Sequence, residues 1–546
     1  MKETLADFKK MKDSMWNEHV KFHSMWKEIS KYVRIDAEVI NEILSGRGKD
    51  KSGLIFDSTA IWANNMLASA LIAYMISPNE RWFSLAAVGH DLNQLPQAWQ
   101  EWIEQAENAI YNNYANPYSN FNSSMHESTL DETSIGTSVV YQMWDEELKN
   151  LRFEASSIMS CMVADNASGM VDTVVRSQYR TLKQIFEEYE DSMKAFDDTK
   201  PDCISNFRER FLKNPFEEVE VFHFILPKAL MEDSKGMREY PSYWIILDHG
   251  ILLKKSGFDN FPYTVSRWTK LTNENYGRGP AWNCINTVRL INSMKKTLLR
   301  YSQKQVDPPL QVHSDSVVLP FTTNPGDTIF VEDGYNGIVP LETKGNPMIS
   351  IEMLRDERDF ISKSFYIDWL IQGQTRTEKT AYEIQDKRNE QFLLLAPVLA
   401  RIASEKLGRM IQRSVKLLID KKVIPKIPEV DDGQGNKVYI SPMYISAAQR
   451  AQQYLRVLNS NQWVQQLTQM AQIKPEVVDA VNFDAWVKEL SKYLNVSNII
   501  VNDDRTIAQV RQQRAQQQQE MMEQQQEMMQ AQQAETMTKA QKNMQQ

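Results

Sequence analysis

The fold is most restricted by two long helical segments joined through a stretch that cannot be helical. Pro280, directly after Gly277-Arg278-Gly279, suits the first turn of a helix. Cys284, Val288, Ile291, Met294, Leu298 and Tyr301 then recur three or four apart, which predicts one packing face running to about Lys304. Arg289, Lys296, Arg300 and Lys304 form a separate basic stripe that can meet phosphate or pair with acidic groups of a neighbouring subunit, and taken alone the second use is favoured. Residues 306–348 are rich in Pro, Gly and β-formers, and a second long helix is predicted over about Ile349–Ile371. The small polar loop 372–379 leads into a longer helix from Thr380 to about Lys422, where Thr380 and Glu383 fit a capping box and Pro397 and Gly408 are kink candidates.

Upstream, residues 1–45 read as helical and GRGKDKSG (46–53) as a turn. A helix opens at Asp57, Ser58 or Thr59, each able to accept from a free first-turn N–H, and runs to about Ile76; another covers about Leu95–Tyr114. From Gly136 to about 270 the period shortens to β-rich runs broken by Asn, Asp and Gly, with one helix at about 182–195. This stretch is an α+β module, and its ADNASG and DHG segments read as hairpin turns. Beyond 422, a loop or short strand is expected over 425–445 and helices over about 447–471 and 476–494. The tail from Arg511 to Gln546 holds 15 glutamines and 6 methionines in 36 residues, yet Ala508, Ala515, Met522 and Met529 sit seven apart. It reads as a helix ordered only beside copies of itself, the alternative being plain disorder.

With 546 residues, several packed modules are expected; the overall class is α+β, predominantly α-helical. A formal charge of −9 and a pI of 5.5 argue against wrapping DNA on a basic surface, though not against letting it slide past. Cys161, Cys203 and Cys284 are too scattered for a disulfide framework or a CxxC metal site, which favours a reducing compartment. The opening MKETLADFKKMKDSMW lacks the apolar core of a signal peptide. The most apolar run, Met66–Ile76, falls short of the roughly 20 residues a membrane span needs, so a soluble protein with no membrane partner is expected.

Motifs that would carry chemistry are weak. GRGKDKSG lacks the GxxxxGK[ST] order of a phosphate loop, because Asp50 intervenes. His19 and His23 have a zinc-compatible spacing but no further ligand, and read as surface or interface histidines. His90, His126, His223, His249 and His313 fall in no catalytic motif. The carboxylates of RDERD (355–359) alternate with arginine as on a salt-bridged exposed face or subunit contact, and those of VNDD (501–504) mark no catalytic site. No enzymatic activity, cofactor or metal is expected.

Four blocks in order resemble one family, the head-to-tail connector (portal) proteins of short-tailed bacteriophages. They are LIFDSTAIWANNMLASALIAYMISPNERWF (54–83), SNFNSSMHESTLDETSIGTSVVY (119–141), NYGRGPAWNCINTVRLINSMKKTLLRYSQKQVDPPLQV (275–312) and RTEKTAYEIQDKRNEQ (376–391). The resemblance implies a ring of identical subunits, twelve being the expected number, at one special capsid vertex. It places residues 1–275 in a wing that includes the module at 136–270, with stem helices at 276–305 and 349–371 around a clip at 306–348. A tunnel loop then spans 372–379, followed by a long wing helix at 380–422, a crown at 423–500 and a helical barrel or disordered tail at 501–546. Double-stranded DNA would pass through the channel beside Gln372, Gly373, Gln374, Thr375, Arg376, Thr377 and Lys379. The clip, with Asp315, Asp327, Glu332, Asp333, Tyr335 and Asn336, would dock the terminase motor during packaging and then the tail adaptor protein. The wing would meet the major capsid protein and the scaffolding protein. The chain is thus expected in the virion at the capsid vertex, and in the host cytoplasm during assembly.

Two rival readings compete. A packaging ATPase-nuclease requires a phosphate loop that this sequence lacks. A non-ring virion protein, scaffolding or internal ejection, would account for the Gln/Met tail but leaves the strand-rich module and the helix–clip–helix order unexplained.

Overall fold

Thr4 opens the first helix of the computed structural model, α1 (Leu5–Tyr32), by accepting the Asp7 N–H on its hydroxyl at 3.3 Å. The structure describes residues 4–35, 52–77, 81–87, 97–189, 201–232, 235–312, 338–340, 347–367, 395–428 and 440–444, with separate positions between 460 and 524. The chain divides into two units, Met1–Ile445 and Ser446–Gln546. In the second unit every described residue is helical, including those between 507 and 524 in the glutamine-rich stretch.

In the first unit, α2 (Thr59–Met75) is followed by β1 (Phe83–Ala87), α3 (Gln97–Ala115) and α4 (Phe121–Ser134). Ala60, Ala63, Leu67, Ala68 and Leu71 of α2 are buried, and these small side chains let α4 pack closely. Although α4 reads FNSSMHESTLDETS, ten of its fourteen residues are buried. Its hydroxyls bond back to their own helix, Thr129 to the Met125 carbonyl at 2.7 Å and Ser134 to that of Leu130 at 2.6 Å, so burial leaves them satisfied.

The predicted α+β module follows as β2 (Thr137–Asp145), β3 (Asn150–Ser156), β4 (Cys161–Asp165), β5 (Val171–Thr181), α5 (Leu182–Glu188), α6 (Pro201–Lys213), β6 (Glu218–Ile225), β7 (Tyr240–Ile246), β8 (Ile251–Phe258) and β9 (Tyr263–Arg267). Strands β4 to β8 form an antiparallel meander in sequence order, and β2 lies between β3 and β9 in a second sheet. Both hairpin turns form as the sequence predicts: Gly169 (φ 74°) and Gly250 (φ 67°) supply the left-handed residues, and Asn166 accepts the Ser168 N–H at 2.9 Å. Alternate residues of the meander face two ways. Val219, Val221, Trp244 and Ile246 pack with α5 and Phe207 of α6, while Phe222, Phe224, Tyr243 and Ile245 pack with Phe8 of α1. The α6 helix and the β1 strand carry no period that the sequence reading detected.

After the short pair β10 (Thr269–Lys270) and β11 (Gly277–Arg278) come α7 (Pro280–Val306), β12 (Leu310–Val312), β13 (Ile338–Pro340) and α8 (Pro347–Ser364). The glycines before α7 answer a crossing of two backbones. A Cβ on Gly136, at φ 100°, would lie 2.2 Å from the Gly279 nitrogen, and one on Gly277 would lie 2.3 Å from the Gly136 oxygen. The α8 helix breaks after Ser364: Tyr366 takes φ 60°, Phe365 and Ile367 turn into the core, Ile367 is again helical, and residues 368–371 of the predicted 349–371 helix lie outside the described residues. Burying those two side chains accompanies the break at Phe365–Tyr366.

The described part of the predicted 380–422 helix consists of α9 (Ala396–Ile402), a π-helical turn (Ala403–Gly408) and α10 (Arg409–Asp420). Pro397 sits in the first turn of α9, where it needs no hydrogen bond, and Gly408 closes the π turn. The strand expected within 425–445 is β14 (Ile440–Tyr444), antiparallel to β1.

Candidate functional site

Helices α7 and α8 pack against each other, and their far ends are joined by β12 and β13, which pair Leu310 with Pro340 and Val312 with Ile338. As the spacing predicts, Cys284, Val288 and Ile291 of α7 are buried, while Met294, Leu298 and Tyr301 line a cleft of about 320 Å³ closed by Pro347 and Ser350 of α8.

What fixes this pair to the body is the segment leading into α2. The Asn292 side chain of α7 replaces backbone partners for that segment: its Oδ1 accepts the Phe56 N–H at 2.6 Å and the Asp57 N–H at 3.2 Å, and its Nδ2 donates to the Leu54 carbonyl at 2.9 Å. Asp57, of whose side chain only 1% is exposed, accepts the Thr59 N–H at 3.0 Å and the Arg358 Nε and Nη2 of α8 at 3.1 and 2.5 Å. Lys295 of α7 lies 3.4 Å from the same carboxylate oxygen. Burial alone would raise the Asp57 carboxyl, but the hydrogen bonds from Thr59 and Arg358 outweigh it and hold the pKa at about 2. One carboxylate therefore ties α2, α7 and α8 together. In the sequence Asp57 is only a possible helix cap and Arg358 belongs to an exposed face or subunit contact; the usable signals are an acid heading an uncharged apolar helix and an asparagine beside the apolar row of α7.

The basic stripe is on the surface of α7. Arg289 stands 3.6 Å from Glu28 of α1, Lys296 lies 5.3 Å from the Phe56 ring centre, and Arg300 and Lys304 are exposed. The tunnel-loop residues Gln372, Gly373, Gln374, Thr375, Arg376, Thr377 and Lys379 lie outside the described residues. So do the clip residues Asp315, Asp327, Glu332, Asp333, Tyr335 and Asn336.

A second anchor lies in the π turn between α9 and α10. In the π turn, the Glu405 carboxylate accepts from Arg267 of β9 at 2.8 and 3.1 Å, and Arg267 also donates to Asp165 at 2.8 Å. The adjacent Lys406 donates to Glu132 of α4 at 3.1 Å, and Glu132 accepts the Ser266 hydroxyl at 2.5 Å. All four of Glu132, Arg267, Glu405 and Lys406 are buried. A π turn widens the helix by one residue, so two successive opposite charges both reach the body.

The histidine pair is also not at the surface. His23 Nε2 donates to His19 Nδ1 at 2.7 Å and His19 Nε2 donates to the Ile158 carbonyl at 2.9 Å, among Trp16, Trp26 and Tyr276. Both rings are buried, and burial lowers each pKa to about 4. Their spacing serves packing of α1 against the module, because the turn at Ile158 brings a carbonyl to them that periodicity cannot foresee. Among the described residues no group of three or more His, Cys, Asp or Glu could hold a metal, and no helix is long and apolar enough to cross a membrane.

Residues 5–501 match the family described as bacteriophage head to tail connecting protein. The chain is 24% identical over 514 residues to the portal protein of Salmonella phage epsilon15, covering 91% of this chain and 89% of that one. It is 26% identical over 505 residues to a probable portal protein of Bordetella phage BPP-1, covering 90% and 88%.

Proposed function

The chain belongs to the family of bacteriophage head-to-tail connecting proteins, and on that premise we propose that it is the portal at the special vertex of a phage capsid, a closed ring through which double-stranded DNA enters and leaves. The observation that carries this reading is a pair of long helices, α7 and α8, pinned to the body through Asp57 and Asn292 and joined at their far ends by the β12–β13 pair. Such a hairpin leaves much of its own surface wet in one copy, and repetition around an axis turns it into a wall.

On this reading the protein is a conduit and platform with no catalysis of its own; nucleotide hydrolysis belongs to the terminase motor, which docks at the clip before the tail adaptor replaces it. The wing faces the major capsid protein and scaffolding protein. The net charge of −9 suits transit, since a bore that neutralised many phosphates would hold DNA. Arg376 and Lys379 supply a few transient phosphate contacts from the tunnel loop.

Negative-stain microscopy of the purified full chain tests the reading. A ring with an open centre, twelve-fold by expectation, supports it; particles without rotational closure, or with a sealed centre, sink it. Packaging and DNA retention unchanged by Arg376→Gln with Lys379→Gln would remove those two residues from the channel's role.

A further inference from the structure

We infer that neighbouring copies meet stem to stem through opposite charges, the basic edge of α7 on one copy against the acidic edge of α8 on the next. The inference rests on the ring reading above and adds which faces close the ring.

The charged residues of α7 are Arg289, Lys295, Lys296, Arg300 and Lys304, all basic, and of these Lys295 is taken by Asp57. At about 100° per residue, Arg289, Lys296 and Arg300 lie on one stripe, roughly opposite the row Met294, Leu298 and Tyr301 that faces α8. On α8, Glu352, Asp356 and Asp359 are exposed at spacings of four and three, on the side away from Leu354, Arg358 and Ile361, the row turned into the body; the exposed Arg355 borders this stripe and the exposed Lys363 ends it. The helix pair is therefore a slab with one positive edge and one mainly acidic edge, and within one copy the edges cannot meet. No ion pair joins Glu352, Asp356 or Asp359 to any described residue, and the pair Arg289–Glu28 is half-exposed and long at 3.6 Å. Exposed apolar residues flank both edges, Leu290 on α7 and Ile349, Met353 and Phe360 on α8, which provides an apolar centre for a charged rim.

The arrangement also selects the symmetry. A two-fold contact would set like charge against like, whereas a head-to-tail contact pairs the edges at every junction and can close a ring. Duplex DNA could use the basic edge alone, but it would leave the acidic edge unmatched.

Two full-length variants decide the matter: Lys296→Glu with Arg300→Glu, which makes both edges acidic, and Glu352→Lys with Asp356→Lys, which makes both basic. Mass photometry at low salt should show rings for wild type, loss of rings for each variant alone, and recovery of rings when the two are mixed in equal amounts, with the variants alternating. Recovery on mixing cannot come from misfolded protein. If wild type closes while either variant also closes alone, or the mixture fails to recover, the edge pairing is wrong and the basic edge is left to phosphate. If wild type itself does not close, the ring reading falls first and this pairing with it.

Discussion

Arg358 of α8 places its Nη2 2.5 Å from Asp57 Oδ2 at the head of α2, across 301 positions of chain. Asp57 is buried but Arg358 keeps 37% of its side chain exposed, so Asp57→Ala leaves a cation that still reaches water and a Thr59 N–H without its acceptor; the expected cost is about 1–3 kcal/mol, read as a lowered urea midpoint. Arg358→Ala should cost less, because Lys295 remains 3.4 Å from the carboxylate. Equal losses for the two variants would contradict the shared clamp.

The same carboxyl predicts an acid response. Its folded pKa of about 2 lies below the ordinary 3.8, so its contribution is complete above pH 3.8 and is lost as pH falls through 2. About 2 kcal/mol of acid sensitivity should disappear in Asp57→Asn, measured as the difference in unfolding free energy between pH 5 and pH 2.

His19 responds at milder pH. Neutral in the fold, with a pKa of about 4 against 6.5 unfolded, it contributes stability that is fully present above pH 6.5 and drains away as pH falls to 4. The loss from His19 is at most about 3 kcal/mol. A His19→Gln variant, though weaker at neutral pH, should show a flatter stability profile between pH 7 and 4; an unchanged slope would place the titrating group elsewhere.

Glycine substitutions separate backbone strain from collision. Gly136→Ala meets the Gly279 nitrogen at 2.2 Å in addition to its positive φ, and should lose more than about 3 kcal/mol or fail to yield soluble protein. Gly236→Ala has a similar φ of 75° with nothing within 4 Å, so only about 1–2 kcal/mol of left-handed strain is expected. Comparable yields and melting points for both would refute the backbone crossing.

Local pattern carried the elements whose cause is local. The apolar row of α7, the opening at Pro280, the β-rich runs of β2 to β8 and the Asn and Gly turns were legible because residue type, periodicity and positive φ are written within a few residues. Four ordered blocks also carried the family. Tertiary structure alone decided the burial of α4, whose polar residues look exposed by pattern but are satisfied by their own helix and by Asn64, which accepts from Thr133 at 2.8 Å. It likewise decided that His19 and His23 are interior, and that Glu405 and Lys406 face opposite partners from one π turn. In each case the deciding partner lies far along the chain: Ile158 for His19, Arg267 for Glu405, Glu132 for Lys406. A polar side chain is stable inside only where such a partner arrives, and that arrival is a property of the closed fold rather than of any window of sequence.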